Sequence, residues 1–285
     1  MSRIASMQGR LVPPEAGRFQ CFPVQQWRKE FALAAQAGLD AIEWIYDQYG
    51  ESSNPLGAAS GIAEMLSAAK EHGVGVFSVC ADYFMDRPLL RASGAEYAEI
   101  FDKLHWLLHQ CRSAGIERMV LPFVDQSKIQ NAEDSTRLVE LLNAVLPKAE
   151  SCGVELHLET SLAPAPFAAL LDRMPHAWLK VNYDSGNSSS LGYDPREEFS
   201  AYGQRIGSVH LKDRVFGGGT VPLGAGAADL KAVFNGLEKI GYAGDYVLQV
   251  AREDAGKEVA WTKQNRSYLL ELLRASASEA SGGAQ

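Results

Sequence analysis

The sequence predicts an α/β fold, a single-domain (β/α)8 TIM barrel, and three observations support this prediction. Short runs rich in apolar and β-branched residues alternate with longer segments of helical character, and there are eight of each. Glycine recurs where a predicted helix gives way to the next strand. The length of 285 residues also suits one domain, because α/β barrels of about 250 residues routinely form a single domain.

The predicted elements alternate strictly along the chain, as eight β–α units require. The predicted strands are Ile4–Met7, Ala41–Ile45, Val74–Cys80, Arg118–Pro122, Val154–Glu159, Leu179–Asp184, Ile206–Leu211 and Tyr246–Val250. The predicted helices are Gln26–Ala37, Ile62–His72, Glu96–Ala114, Thr136–Ser151, Pro166–Leu171, Asp194–Tyr202, Asp229–Ile240 and Val259–Ala275.

Glycines mark the helix ends. Gly38, Gly73, Gly115, Gly153 and Gly241 each stand between a predicted helix and the following strand. Glycine accepts the left-handed conformation that commonly ends a helix, because it has no Cβ to clash. This recurrence predicts repeated helix-to-strand turns.

The rival fold is a doubly wound open sheet, which usually has a glycine-rich phosphate turn after its first strand. The segment that follows the first predicted strand, Met7–Leu11, does not have that pattern. We therefore expect residues 1–275 to form the barrel. The small and polar residues 276–285 are expected to form a flexible C-terminal tail.

Composition excludes several classes of protein. The formal net charge is −8, and an acidic chain without a basic patch is not expected to bind nucleic acid. No apolar run approaches about 18 residues, so no membrane partner is expected. The first residues lack a signal-peptide pattern, and the four cysteines form no Cys-x-x-Cys pair. We therefore expect free thiols and a cytoplasmic location.

Four polar residues stand at the ends of four successive predicted strands: Glu159, Asp184, His210 and Gln249. Active sites of such barrels lie at these strand ends. Two carboxylates, an imidazole and an amide oxygen suit a divalent ion such as Mn²⁺ or Mg²⁺. Each residue alone is more simply a strand-end hydrogen-bonding group, but the four together predict a metal site.

Further candidates surround these four residues. Lys212 lies two positions after His210 and so shares its inward face, where it would stabilise enolate charge, hold a phosphate or extend into solvent. Glu43 and Asp82 are candidates for a second acid/base. The glycines of segments 217–219 and 224–226 predict either a phosphate cradle or a flexible lid. The candidate substrate-binding residues are Asn187, Arg214, Arg252, Asp82 and Trp44.

Five segments carry a resemblance to a known family: Val154–Glu159, Asp184–Asn187, Val209–Asp213, Pro222–Gly226 and Tyr242–Tyr246. The chain resembles the sugar-phosphate isomerase/epimerase family of xylose-isomerase-like barrels, and within it the pentulose-phosphate and hexulose 3-epimerases. The resemblance implies that Glu159, Asp184 and His210 bind the metal. It also implies a homodimer or homotetramer.

Gln249 departs from this family pattern, which has a glutamate as the fourth ligand. The charge of the ligand set falls from −3 to −2, which weakens cation binding. An amide is also unable to act as a general base near neutral pH. In the family the two metal-bound glutamates resemble an acid/base pair, and here only Glu159 remains.

The leading hypothesis is a metal-dependent isomerase or epimerase of a sugar, sugar phosphate or related keto-polyol. Glu159 would abstract the proton next to the carbonyl to form an enediolate, with Glu43 and Lys212 as further catalytic candidates. One divalent ion is expected, Mn²⁺ first, with Mg²⁺, Co²⁺ or Zn²⁺ as alternatives. The alternatives in function are a dehydratase or β-eliminating lyase of a keto-sugar or cyclitol, and a non-catalytic carbohydrate-binding barrel.

Overall fold

Eight parallel strands close into a barrel in the computed structural model, which describes residues 2–282. Neighbours around the barrel follow chain order, and the last strand pairs with the first. The barrel strands are β1 (Ile4–Met7), β2 (Ala41–Ile45), β3 (Gly75–Cys80), β4 (Arg118–Phe123), β5 (Glu155–Thr160), β6 (Leu179–Asp184), β7 (Ile206–Leu211) and β10 (Asp245–Leu248). A small antiparallel hairpin, β8 (Asp213–Arg214) with β9 (Thr220–Val221), stands between the last two.

Helices surround the barrel. They are α1 (Trp27–Ala37), α2 (Ala59–His72), α3 (Tyr83–Asp86), α4 (Gly94–Ala114), α5 (Ala132–Cys152), α6 (Pro164–Asp172), α7 (Ser185–Leu191), α8 (Pro195–Tyr202), α9 (Leu230–Lys239) and α10 (Glu258–Gly282). The predicted TIM barrel is confirmed, and every predicted strand is present within two residues of its predicted bounds. The four cysteines are buried and unpaired.

The predicted glycine turns are present. Gly38, Gly73, Gly115 and Gly153 follow the ends of α1, α2, α4 and α5 with φ between 66° and 75°. Gly241 has φ 66° just after α9. Since L side chains rarely adopt this conformation, the glycines allow each helix to stop and the chain to turn into the barrel.

Sequence analysis did not predict the two short helices α3 and α7, because each begins within a few residues of a strand end. α10 continues through Gly282 and so extends into the segment that was predicted as a tail. Ser276 is buried, and its hydroxyl donates a hydrogen bond to the carbonyl of Leu273, as expected of a residue inside a packed helix. Residues 283–285 of that segment lie outside the described residues. Among the described residues, no helix has both the length and the apolarity that crossing a membrane requires.

The apolar core lies in the layer between the strands and the helices. On α4, residues Leu104, Leu107, Leu108 and Cys111 are fully buried and recur at helical spacing on the face that meets the barrel. Burial of one such leucine side chain contributes about 1.5–3 kcal/mol. This layer holds the strands in place, so the polar strand ends above it are presented by a rigid frame.

We expect Leu107→Ala to lower the free energy of unfolding by about 2–5 kcal/mol, because it leaves a cavity in this layer. Urea denaturation followed by circular dichroism measures the loss. The matched control is Leu66→Ala on α2, where the leucine is 41% exposed and the expected change is within about 0.5 kcal/mol. Equal losses in the two variants would contradict the packing described here.

Candidate metal centre

Three polar side chains meet at the C-terminal ends of β5, β6 and β7. They are Glu159, Asp184 and His210, and all three are buried. One potential ligand atom from each lies within 4.8 Å of those of the other two. Asp184 and His210 are paired in register on neighbouring strands, which brings their side chains to the same level of the barrel.

The orientation of His210 is set by Glu43. Both side chains are completely buried, and Nε2 of His210 lies 2.6 Å from Oε2 of Glu43. Because a carboxylate only accepts hydrogen bonds, Nε2 carries the proton. Nδ1 makes no hydrogen bond with any described residue and lies 3.4 Å from Oε2 of Glu159. A histidine held by a carboxylate behind it, with its other nitrogen free, is the usual arrangement of a metal ligand.

The electrostatics of this cluster also favour a cation. Burial alone would lower the pKa of His210, but the carboxylates of Glu43 and Glu159 raise it to about 10. Burial likewise opposes the charged forms of the two carboxylates, yet His210 holds the pKa of both below the usual range. The two carboxylates therefore favour a positive charge at Nδ1 of His210, and either a proton or a metal ion can supply it. The residues present fit a divalent ion.

One carboxylate oxygen of Asp184 is held by backbone hydrogen bonds, and the other faces the ammonium of Lys212. It caps α7, so its Oδ1 accepts hydrogen bonds from the backbone N–H groups of Gly186 and Asn187 at 2.9 and 2.8 Å. Its Oδ2 lies 2.9 Å from Nζ of Lys212. A Cβ at position 186 would lie 2.6 Å from Cγ of Lys212, so glycine makes room for the lysine. These contacts explain the Asp-Ser-Gly-Asn motif.

Gln249 follows β10 and completes the group from the far side of Lys212. Its Oε1 accepts a hydrogen bond from Nζ of Lys212 at 3.0 Å, and its Nε2 donates to Oε1 of Gln20 at 3.0 Å. Gln20 in turn donates from Nε2 to Asp82. The amide is therefore oriented with its oxygen toward Lys212, whose ammonium it shares with Asp184.

Glu159 is held on both oxygens. Asn187 donates to Oε1 at 2.6 Å, and Asn182 donates to Oε2 at 2.8 Å. Asn182 accepts from Ser208, whose hydroxyl contacts Nδ1 of His157 at 2.7 Å. This buried chain of hydrogen bonds continues the site into the barrel interior and fixes the Glu159 carboxylate.

A cavity of about 240 Å³ opens above these residues at the barrel mouth. Six of the residues predicted to act in the site line this cavity: Glu159, Lys212, Gln249, Asn187, Arg214 and Asp82. Arg214 donates from Nη1 to Oδ1 of Asn187 at 2.8 Å. Burial raises the pKa of Asp82 to about 6, against the hydrogen bonds from Gln20 and Cys80 that lower it.

The structure places three predicted residues elsewhere. Glu43, a predicted acid/base, lies behind His210 and does not line the cavity. Trp44 follows Glu43 on β2 and so faces the opposite side, where its Nε1 donates to Asn54. Arg252 donates to the carbonyls of Phe19 and Val12 and supports a loop. Neither Trp44 nor Arg252 lines the cavity.

Sequence analysis did not predict Asn182 or Gln20 as site residues. Asn182 lies two positions before Asp184, so strand alternation alone would have placed it on the inward face. Gln20 comes from the irregular loop between β1 and α1, and no periodicity marks it. Only the folded loop brings it beside Gln249.

Comparison with known proteins places these features in context. The family described as "Xylose isomerase-like TIM barrel" has a model that matches residues 31–272. A putative L-ribulose-5-phosphate 3-epimerase, SgbU of Escherichia coli (strain K12), is 24% identical over 265 residues, which covers 87% of this chain and 88% of that protein. The L-ribulose-5-phosphate 3-epimerase UlaE of Salmonella heidelberg (strain SL476) is 26% identical over 254 residues, with 85% and 88% coverage.

Solved structures show the same fold. An L-ribulose 3-epimerase superposes with a TM-score of 0.80 at 19% identity, covering 100% of this chain and 99% of that one. The IolI protein with a zinc atom superposes with a TM-score of 0.74 at 17% identity, covering 96% and 99%.

We expect Glu43→Gln to weaken Mn²⁺ binding about 10- to 100-fold, because the carboxylate behind His210 orients the ring and raises its basicity. Isothermal titration calorimetry of the full chain measures the change. The matched control is Glu133→Gln, an exposed glutamate at the start of α5. Unchanged Mn²⁺ affinity in Glu43→Gln would contradict the role assigned to this contact.

Proposed function

We propose that this chain, which belongs to the xylose isomerase-like TIM barrel family, is a metal-dependent isomerase or epimerase of a keto-sugar or related keto-polyol. One observation carries the proposal: a buried histidine with a free Nδ1 meets two carboxylates beneath a polar cavity. The names of the curated relatives, which are 3-epimerases of a ketose phosphate, support the same reaction class.

The ligands in this proposal are Glu159, Asp184, His210 and the amide oxygen of Gln249. Mn²⁺ is the first candidate for the ion, and Mg²⁺, Co²⁺ and Zn²⁺ are alternatives, because oxygen and imidazole ligands suit them all. When bound, the ion supplies Lewis-acid polarisation of the substrate carbonyl.

Glu159 is the proposed base. Its Oε2 faces His210 and Asn182, whereas its Oε1 faces Asn187, a residue that lines the cavity. We assign removal of the proton next to the carbonyl to Oε1, since it lies on the substrate side. Asn187 and Asn182 hold the carboxylate in one orientation, which spares the cost of ordering it during the reaction.

Lys212 is the proposed electrostatic partner of the reaction. Its ammonium is buried, lines the cavity and lies against Asp184 and Gln249. A fixed cation at this place stabilises negative charge that develops on a substrate oxygen when the carbon is deprotonated. Arg214 and Asn187 also line the cavity and are proposed to bind substrate hydroxyls.

Asp82 is the proposed second acid/base for epimerisation, which needs a proton donor on the face opposite the base. Gln249 is unable to serve because an amide does not titrate. Asp82 lines the cavity, and its pKa of about 6 allows proton transfer near neutral pH. An aldose–ketose isomerase would need Glu159 alone.

The second candidate function is a dehydratase or β-eliminating lyase of a keto-sugar or cyclitol. The presence of Gln249 in place of a second basic glutamate favours it, because elimination needs one base and one acid. Glu159 would remove the proton and Asp82 would protonate the leaving group. Assay for release of water or an aglycone separates this reaction from isomerisation.

We also propose a cytoplasmic location, supported by four buried free cysteines, and a homodimer or homotetramer.

We expect Glu159→Gln to slow solvent-deuterium exchange into L-ribulose or D-psicose at least a hundredfold, because the general base is lost. Mass spectrometry of the sugar after incubation in D₂O measures the exchange. Glu271→Gln, an exposed change on α10, is the matched control and should exchange at the wild-type rate. Full exchange in Glu159→Gln would exclude Glu159 as the base, and absence of exchange in the wild type would favour a non-catalytic barrel.

We expect Asp82→Asn to retain deuterium exchange and to lose epimer formation at least a hundredfold, because only the second proton transfer is removed. In the wild type, the protonated fraction of Asp82 falls above pH 6. The rate of the epimerisation in which Glu159 removes a proton and Asp82 donates one should therefore decline about tenfold per pH unit. Product analysis across pH 5–8 (about three units) measures both effects. Equal loss of exchange and epimer formation would contradict the assignment.

A further inference from the structure

We infer that the cavity takes an unphosphorylated keto-sugar or keto-polyol, because the chain's own groups fill the places where a phosphate would bind. This inference rests on the proposed function and specifies its substrate class. Barrels that bind phosphate commonly hold it on backbone N–H groups of the loops after the seventh and eighth strands. Here the corresponding glycine loop follows β7 and the hairpin.

The N–H groups of that loop already hold an anion. Gly224 and Gly226 both donate to Oδ2 of Asp213 at 2.9 Å, and Ala228 donates to Oδ1 at 3.0 Å. Asp213 is completely buried. A Cβ at position 226 would lie 2.2 Å from Oδ1 of Asp213, so glycine there serves the approach of this carboxylate. The loop is a built anion site whose anion is internal.

The second glycine run is engaged in the hairpin turn. Gly217 donates its N–H to the carbonyl of Ser190 at 2.9 Å, and Gly218 donates to the carbonyl of Val215 at 2.9 Å. The carbonyl of Gly219 accepts from Val215 across the same turn. These contacts account for the glycines as turn residues and give them no role in holding a phosphate.

The two cationic side chains of the cavity wall are also engaged. Lys212 contacts Asp184 and Gln249, and Arg214 donates to the carbonyl of Gly218 and to Asn187. The same wall carries three carboxylates, from Asp82, Asp125 and Glu159. A phosphate group bound away from the proposed metal ligands would lie beside the carboxylates of Asp82 and Asp125, which repel an anion.

Asp125 is one of the hydrogen-bond acceptors that line the cavity. It follows β4 with φ 49° and is exposed. Carboxylates accept hydrogen bonds from sugar hydroxyls, so Asp82 and Asp125 suit a neutral polyol. The proposal sets this chain apart from the curated relatives, which are named for a 5-phosphate.

The test compares L-ribulose with L-ribulose 5-phosphate, titrated separately into the Mn²⁺-loaded full chain by calorimetry, with inorganic phosphate as a third probe. We expect L-ribulose to bind at least tenfold more tightly than its phosphate ester, and inorganic phosphate to leave L-ribulose binding unchanged. Asp125→Asn should reduce the ratio of the two dissociation constants at least threefold, because it removes a carboxylate that repels the phosphate ester. Asp102→Asn, an exposed change on α4, is the matched control and should leave this ratio unchanged.

Tighter binding of the phosphate ester, or competition by inorganic phosphate, would overturn the inference and leave the proposed function standing. Binding of neither sugar by a chain that retains Mn²⁺ would overturn both. If Asp125→Asn left the ratio of the two dissociation constants unchanged and L-ribulose bound weakly, the role given to the cavity carboxylates would be contradicted.

Discussion

The site depends on the 2.6 Å contact between Glu43 and His210, two side chains with no exposure to solvent. This contact decides which imidazole nitrogen carries the proton and turns the free nitrogen toward Glu159 and Asp184. The remaining polar contacts follow from the charge that results. Two buried carboxylates need positive charge nearby, and His210, Lys212 and a bound cation are the groups able to provide it.

The contacts of Gln249 show how the barrel holds an amide after the end of β10, beside Lys212. The amide oxygen shares the lysine ammonium with Asp184, and its NH₂ group is fixed by Gln20. A second glutamate there would add negative charge to a buried cluster, whereas the amide keeps a hydrogen-bonding oxygen without that charge. In the proposed epimerisation the second acid is Asp82, which lies in the same cavity.

Most of the fold and the three residues of the candidate metal site could be predicted from the sequence. Apolar runs define the strands, and the polar residues at the strand ends lie together at one mouth of the barrel. Trp44 was misplaced because adjacent strand residues face opposite sides, and Glu43 takes the inward face. Gln20 and the Asp213 contacts depend on loop geometry, which no periodicity encodes. The end of α10 was missed because small and polar residues resemble a tail, although alanine and glutamate also favour helix.

Anomalous diffraction from crystals of the full chain soaked in Mn²⁺ would locate the proposed ion. We expect one peak per chain at the strand ends, bounded by Nδ1 of His210, carboxylate oxygens of Glu159 and Asp184, and the amide oxygen of Gln249. A peak elsewhere would contradict this placement. So would the absence of a peak in crystals in which the ammonium of Lys212 still contacts Asp184 and Gln249.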